Sequence, residues 1–194
     1  MTELAQSKPQ SLASTGSRGL SLTENVILVI SASLFLAISA YATIVLPFTP
    51  VPFTLQTFAV LLIAFLLGPQ RAVAATMLYL LQGAVGLPVF SPSGPGGVAQ
   101  LLGPTGGFLF AYPAVAYVAA LVFQWRSKLS VAVGAAVIAE LLLFVAGASW
   151  FMLLTGVGVK AAVTATVLPF IAGEVLKIAA ASAVAVRAKK ALNL

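Results

Sequence analysis

The chain has 194 residues, 61% hydrophobic and 7% charged, with a mean hydropathy of +1.11 and a formal net charge of +6. A soluble domain carries roughly a quarter charged residues, so this chain lacks the polar surface that water demands and takes a bilayer as its solvent. With no cysteine, no histidine and four acidic residues, it excludes disulfides, thiolate metal sites, a Ser–His nucleophile and a conventional metal centre.

In chain order, residues 1–22 are polar and Ser-rich with Lys8 and Arg18, and they read as a disordered cytoplasmic tail. Residues 23–190 read as one domain, an all-α integral membrane protein of six transmembrane helices. The first span covers residues 24–46, where Ser33 and Ala37 stand four apart and form a small-residue stripe suited to close approach by a neighbouring helix, internal or external. Three prolines, Pro47, Pro50 and Pro52, end it. The second span, residues 53–67, is short; a turn at Gly68–Arg71 leads to the third, which ends near Gly86. The next stretch, to Gly107, is rich in glycine and proline and uncharged, which predicts an ordered lid or re-entrant loop. Span four covers residues 108–125 and contains Pro113; span five covers 129–145; span six covers 162–186.

Basic residues fall singly or in pairs at the ends of these segments, a membrane-topology pattern with no aromatic-interleaved patch for nucleic acid. With six spans and both termini cytoplasmic, Lys8, Arg18, Arg71, Arg126, Lys128, Arg187, Lys189 and Lys190 lie inside. That is eight of the ten basic residues, against Lys160 outside and Lys177 within the membrane. The expected location is a cell membrane, crossed several times.

Charges within an apolar helix are costly and mark either a structural pair or a binding site. Lys177 lies ten residues before Arg187, which is about 15 Å at the helical rise and places it near the midplane. Glu174 is three residues earlier, on the same face. Together they offer an acceptor and a donor to a polar solute, or close on each other as an internal ion pair. Glu140 stands alone in span five and either meets a ligand or pairs with Lys160 or Lys177. Gln56 offers a carboxamide that suits an amide or ureido group, or a helix–helix hydrogen bond. Tyr41 can line the same outer cavity, and Trp150 is an interface anchor or a pocket wall. The glycines of Gly103–Gly107 open span four with backbone N–H groups that suit a carboxylate. No arrangement of residues supports catalysis, and the phosphate-binding G-x-x-x-x-G-K-[ST] pattern is absent, so energy for transport comes from a partner or a gradient.

Four motifs then stand in order: PVPFTLQTFAVLLIAFLLGP (50–69), YLLQGAVGLPVF (79–90), LLGPTGGFLFAYP (101–113) and LPFIAGEVLKIAAA (168–181). Together they resemble the BioY family, the substrate-binding S components of biotin transporters of the energy-coupling-factor type. The resemblance runs over residues 28–186 and implies an S-component-like six-helix bundle that takes up biotin as its transported substrate, with no cofactor. It also implies a transmembrane coupling protein and two ABC-type ATPase subunits as partners, although some members are proposed to act alone. Ser33 and Ala37 match the family's small-residue surface toward the coupling protein. Glu174 and Lys177 match its acidic residue and lysine, where the family has Pro-Gly-Asp and this chain has Ala172-Gly173-Glu174. On that likeness Glu174 accepts from the ureido N–H with Gln56 assisting, and Lys177 meets either the ureido oxygen or the carboxylate. Phe90, Phe108, Tyr112 and Trp150 then supply walls and closure. The rival readings are a solitary or proton-coupled transporter, with Glu140 or Glu174 titrating, and a membrane scaffold that binds no small molecule.

Overall fold

The computed structural model describes residues 20–191. Lys8, Arg18 and all but the last three residues of the expected tail lie outside the described residues, and Leu22 already belongs to the first helix. That helix, α1 (Leu22–Tyr41), starts at a capping box. Ser21 Oγ accepts from the Glu24 N–H at 3.2 Å, and the Glu24 carboxylate accepts from the Ser21 N–H at 2.7 Å. It stops at Tyr41, short of the expected residue 46, because the proline-rich segment folds back on itself. Strands β1 (Thr43–Ile44) and β2 (Phe53–Thr54) pair antiparallel, Thr43 opposite Thr54.

Helix α2 (Gln56–Leu67) ends at Gly68, whose φ of 77° suits a residue without a Cβ, and Pro69 opens α3 (Pro69–Ala84) at its first turn. The glycine- and proline-rich stretch is ordered and contains a short helix, α4 (Gly97–Leu102). Helix α5 (Gly106–Trp125) continues through Pro113. Helix α6 (Leu129–Thr155) extends ten residues past the expected end at 145, since the small residues there fit a helix and no proline interrupts it; Gly156 terminates it in the left-handed conformation. The last expected span is split. Pro169 cannot donate to a helical ladder, so α7 (Val159–Thr166) gives way to a 3-10 turn (Leu168–Phe170) before α8 (Ile171–Ala191) begins.

The result is an all-α membrane-spanning bundle. Helix α5 packs along α6 and α3, α2 lies against α5 and α8, and α1 lies against α3 and α2. Alanines such as Ala116, Ala119, Ala132, Ala136 and Ala181 are fully buried, which allows the helix backbones to approach closely where water supplies no driving force. Phe65 and Phe123 fill the space between α2 and α5 with centroids 4.7 Å apart. Large apolar side chains point outward instead, among them Ile27, Leu34 and Ile38 on α1, Leu141 and Val145 on α6, and Leu176 on α8. Four stretches among the described residues are long and apolar enough to span a bilayer: Leu22–Tyr41, Gly106–Trp125, Leu129–Thr155 and Val159–Ala191. Helices α2 and α3, with 12 and 16 residues, fall below the roughly 20 that a perpendicular crossing needs.

Candidate functional site

The site is built where the start of α2 meets the start of α8. Gly173 is the local reason for the approach, because a Cβ on it would collide with the ring of Phe53. Without one, Phe53 at the end of the strand pair settles against α8 and stacks parallel to Phe170, centroids 6.3 Å apart. Its ring then lies under Lys177, with Nζ 4.0 Å from the centroid, a cation–π contact sheltered from solvent. Across the bundle, Gly147 on α6 serves the same purpose for Phe108 on α5, whose ring occupies the space that a Cβ would need.

Glu174 and Lys177 are 5% and 6% exposed and form an ion pair of 2.7 Å. Thr57, from the first turn of α2, closes a triangle with them. Its hydroxyl donates to Glu174 Oε2 at 2.7 Å and accepts from Lys177 Nζ at 3.1 Å. Desolvating two charges is expensive, and the pair persists through short contacts plus the added hydroxyl. Beside it, Gln56 donates to the Tyr79 hydroxyl at 2.6 Å and accepts from Thr54 Oγ1 at 3.2 Å, which fixes the carboxamide. These groups face a cavity also lined by Gln100, Phe108, Tyr112 and Glu140. It comprises about 580 Å³ of atom-free space, open mouth included, but the centre of a water-sized sphere has only about 50 Å³ in which to move. An apolar chamber with one ion pair and a few hydroxyls and amides can hold a small polar solute by its hydrogen-bonding edge.

A profile of the BioY family matches residues 7–194. The chain belongs to the BioY family. It is 36% identical to the probable biotin transporter BioY of Pyrococcus horikoshii over 80% of this chain and 91% of that one. It is 35% identical to the biotin transporter BioY of Thermotoga maritima over 83% and 95%. The fold superposes on the crystal structure of the S-component for biotin from an ECF-type ABC transporter with a TM-score of 0.80, at 21% identity, over 89% of this chain and 95% of that one.

In this BioY-family chain the cavity brings together Glu174, Lys177, Gln56, Phe108, Tyr112 and Glu140. Three other residues expected at the site stand elsewhere. Tyr41 is half-exposed and its hydroxyl donates to the Pro88 carbonyl, tying the end of α1 to the loop after α3. Phe90 is buried edge-on against Tyr79, centroids 5.3 Å apart, in the notch left by Gly83. Trp150 donates from its indole to the Gly103 carbonyl at 2.9 Å and lines a separate hollow between α5 and α6. Ser33 and Ala37, expected on a partner-facing stripe, are buried within the chain, and Ser33 Oγ donates to Gln82 Oε1 at 2.6 Å across α1 and α3. The outward face of α1 consists of its larger side chains.

Gln100, Thr105 and Phe170 line the cavity and were not singled out by sequence reasoning. Gln100 had a signal, as the lone polar side chain of the run GVAQLL. It is 4% exposed, and its Oε1 accepts from the Gly96 N–H at 3.1 Å, so it braces the loop that covers the cavity.

Proposed function

We propose that this chain captures biotin on the outer side of a cell membrane and carries it inward as the substrate-specific subunit of an energy-coupling-factor transporter. In this reading it has six transmembrane segments and cytoplasmic termini, with α2 and α3 crossing as short or tilted spans and the segment from α7 to α8 crossing once. A transmembrane coupling protein and two ABC-type ATPases supply the energy, for which the chain itself has no phosphate-binding loop. The observation that carries the reading is the buried Glu174–Lys177–Thr57 triangle at the wall of an apolar cavity, in a chain whose relatives are named biotin transporters.

The chemistry fits. A fused cyclic urea presents two N–H donors and one carbonyl, for which the site offers carboxyl acceptors and the Lys177 ammonium. The thioether ring and aliphatic chain meet Phe108, Tyr112 and Phe170. Because the resting cavity is narrow, admission of a bicyclic ligand parts the loop residues around Val51 and Gln100 from the helices below. No bond of the substrate is broken; the process is capture followed by translocation.

Uptake of radiolabelled biotin by cells that lack their own biotin transporters tests the reading. Accumulation that requires this chain and increases with the coupling protein and ATPases supports it. Accumulation that collapses with the proton gradient and ignores those partners would favour a solitary, proton-coupled carrier. No accumulation under either condition would contradict transport of biotin.

A further inference from the structure

Glu140 differs from the other acid of the cavity, Glu174. It is 4% exposed midway along α6, and neither of its carboxyl oxygens has a hydrogen-bond partner among the described residues. It lines the same cavity as Glu174, Lys177 and Tyr112. Behind it runs an apolar cleft between α6 and α8, bordered by Val137, Leu141, Ile171 and Val175, whose side chains offer no donor. Glu174 is already engaged at both oxygens, by Thr57 and by Lys177. Gln56 is engaged by Tyr79 and Thr54. Lys177 uses two of its ammonium N–H groups, on Glu174 and Thr57, and keeps a third. Of the two acids at the cavity wall, Glu140 is the one whose oxygens both lack a partner among the described residues. Burying a polar group without a partner costs free energy, and an incoming N–H donor offsets that cost.

We propose that Glu140 is a direct ligand contact that accepts one N–H of the ligand's cyclic urea, and that it selects for ligands carrying a donor at that edge. The proposal rests on the reading of biotin as the ligand and assigns the acceptor role to the vacant carboxyl of α6 in addition to the ion-paired one of α8.

The test is competition against labelled biotin in lipid nanodiscs, using biotin and its two ureido N-methyl isomers on wild type, Glu140→Gln and Glu140→Leu. Glu140→Leu is expected to weaken biotin roughly five- to a hundredfold, the range for leaving a buried N–H donor without its acceptor. Glu140→Gln keeps a carbonyl acceptor and is expected to lose less. Toward the isomer whose methyl replaces the facing N–H, wild type and Glu140→Leu should bind alike. Unchanged biotin affinity in both variants, or an equal loss for all three ligands, would overturn the role of Glu140 while leaving biotin as the ligand. A wild type that binds no biotin overturns the ligand reading and this proposal together.

Discussion

Phe53 lies beneath Lys177 with the ammonium 4.0 Å from its ring centroid, and Gly173 is what admits it there. A strand-end aromatic, a helix-start glycine and a buried cation are therefore one unit. Replacing the glycine perturbs all three. Gly173→Ala is expected to displace the Phe53 ring, to cost about 1–3 kcal/mol by overpacking, and to weaken biotin binding with it. A thermal melt and a binding titration of the variant check this; a melt and affinity equal to wild type would show that the ring can move aside freely.

The ion pair makes a second prediction. Removing one partner of a buried pair leaves an uncompensated charge and costs roughly 3–5 kcal/mol, whereas replacing both with apolar groups is much less damaging. Lys177→Met and Glu174→Leu should each lower stability, and the double variant should be more stable than Lys177→Met alone. Denaturation of the three proteins in the same detergent decides it, with additive losses as the contrary result.

Thr57→Val removes the hydroxyl that serves both charges while keeping the side-chain shape. Interhelical hydrogen bonds in membranes are worth about 0.6–2 kcal/mol, so a loss of that order is expected. The loss should vanish in the background of the double variant, where the hydroxyl has no charges to bridge. A double-mutant cycle measures this directly.

Trp150 stands apart from the cavity but holds the loop above it through the Gly103 carbonyl. Trp150→Phe keeps most of the ring and loses the donor. Faster amide exchange over residues 97–106 and a faster biotin off-rate are expected, with the on-rate little changed. Exchange and off-rates equal to wild type would mean that the loop is held by Gln100 and packing alone.

The pairing of Glu174 with Lys177 was legible because helical spacing by itself puts positions three apart on one face, and hydropathy alone marked both as buried. Thr57 as the third member was not legible as a bridge. It lies 117 positions from Glu174, and only the packing of α2 on α8 brings the hydroxyl there. The break at Pro169 is hard to read because the segment around it is uniformly apolar, and the end of α6 because Ala146, Gly147, Ala148 and Ser149 interrupt its large apolar side chains without ending the helix. The sequence offers Tyr41 as a cavity residue and Trp150 as an interface anchor or a pocket wall. Their polar atoms instead found backbone carbonyls in the covering loop, a choice that only three-dimensional packing makes. The buried stripe of Ser33 and Ala37 has the same origin, since a small residue that permits close approach does so equally well within a chain and between chains.

The most direct measurement is a calorimetric titration of the purified protein with biotin, repeated on Glu174→Gln and Lys177→Met. The account predicts one site per chain in the wild type and a weakening of roughly tenfold or more in each variant, as expected when hydrogen bonds to charged groups are lost. Wild-type affinity in both variants, or no heat of binding in any of the three, would contradict it.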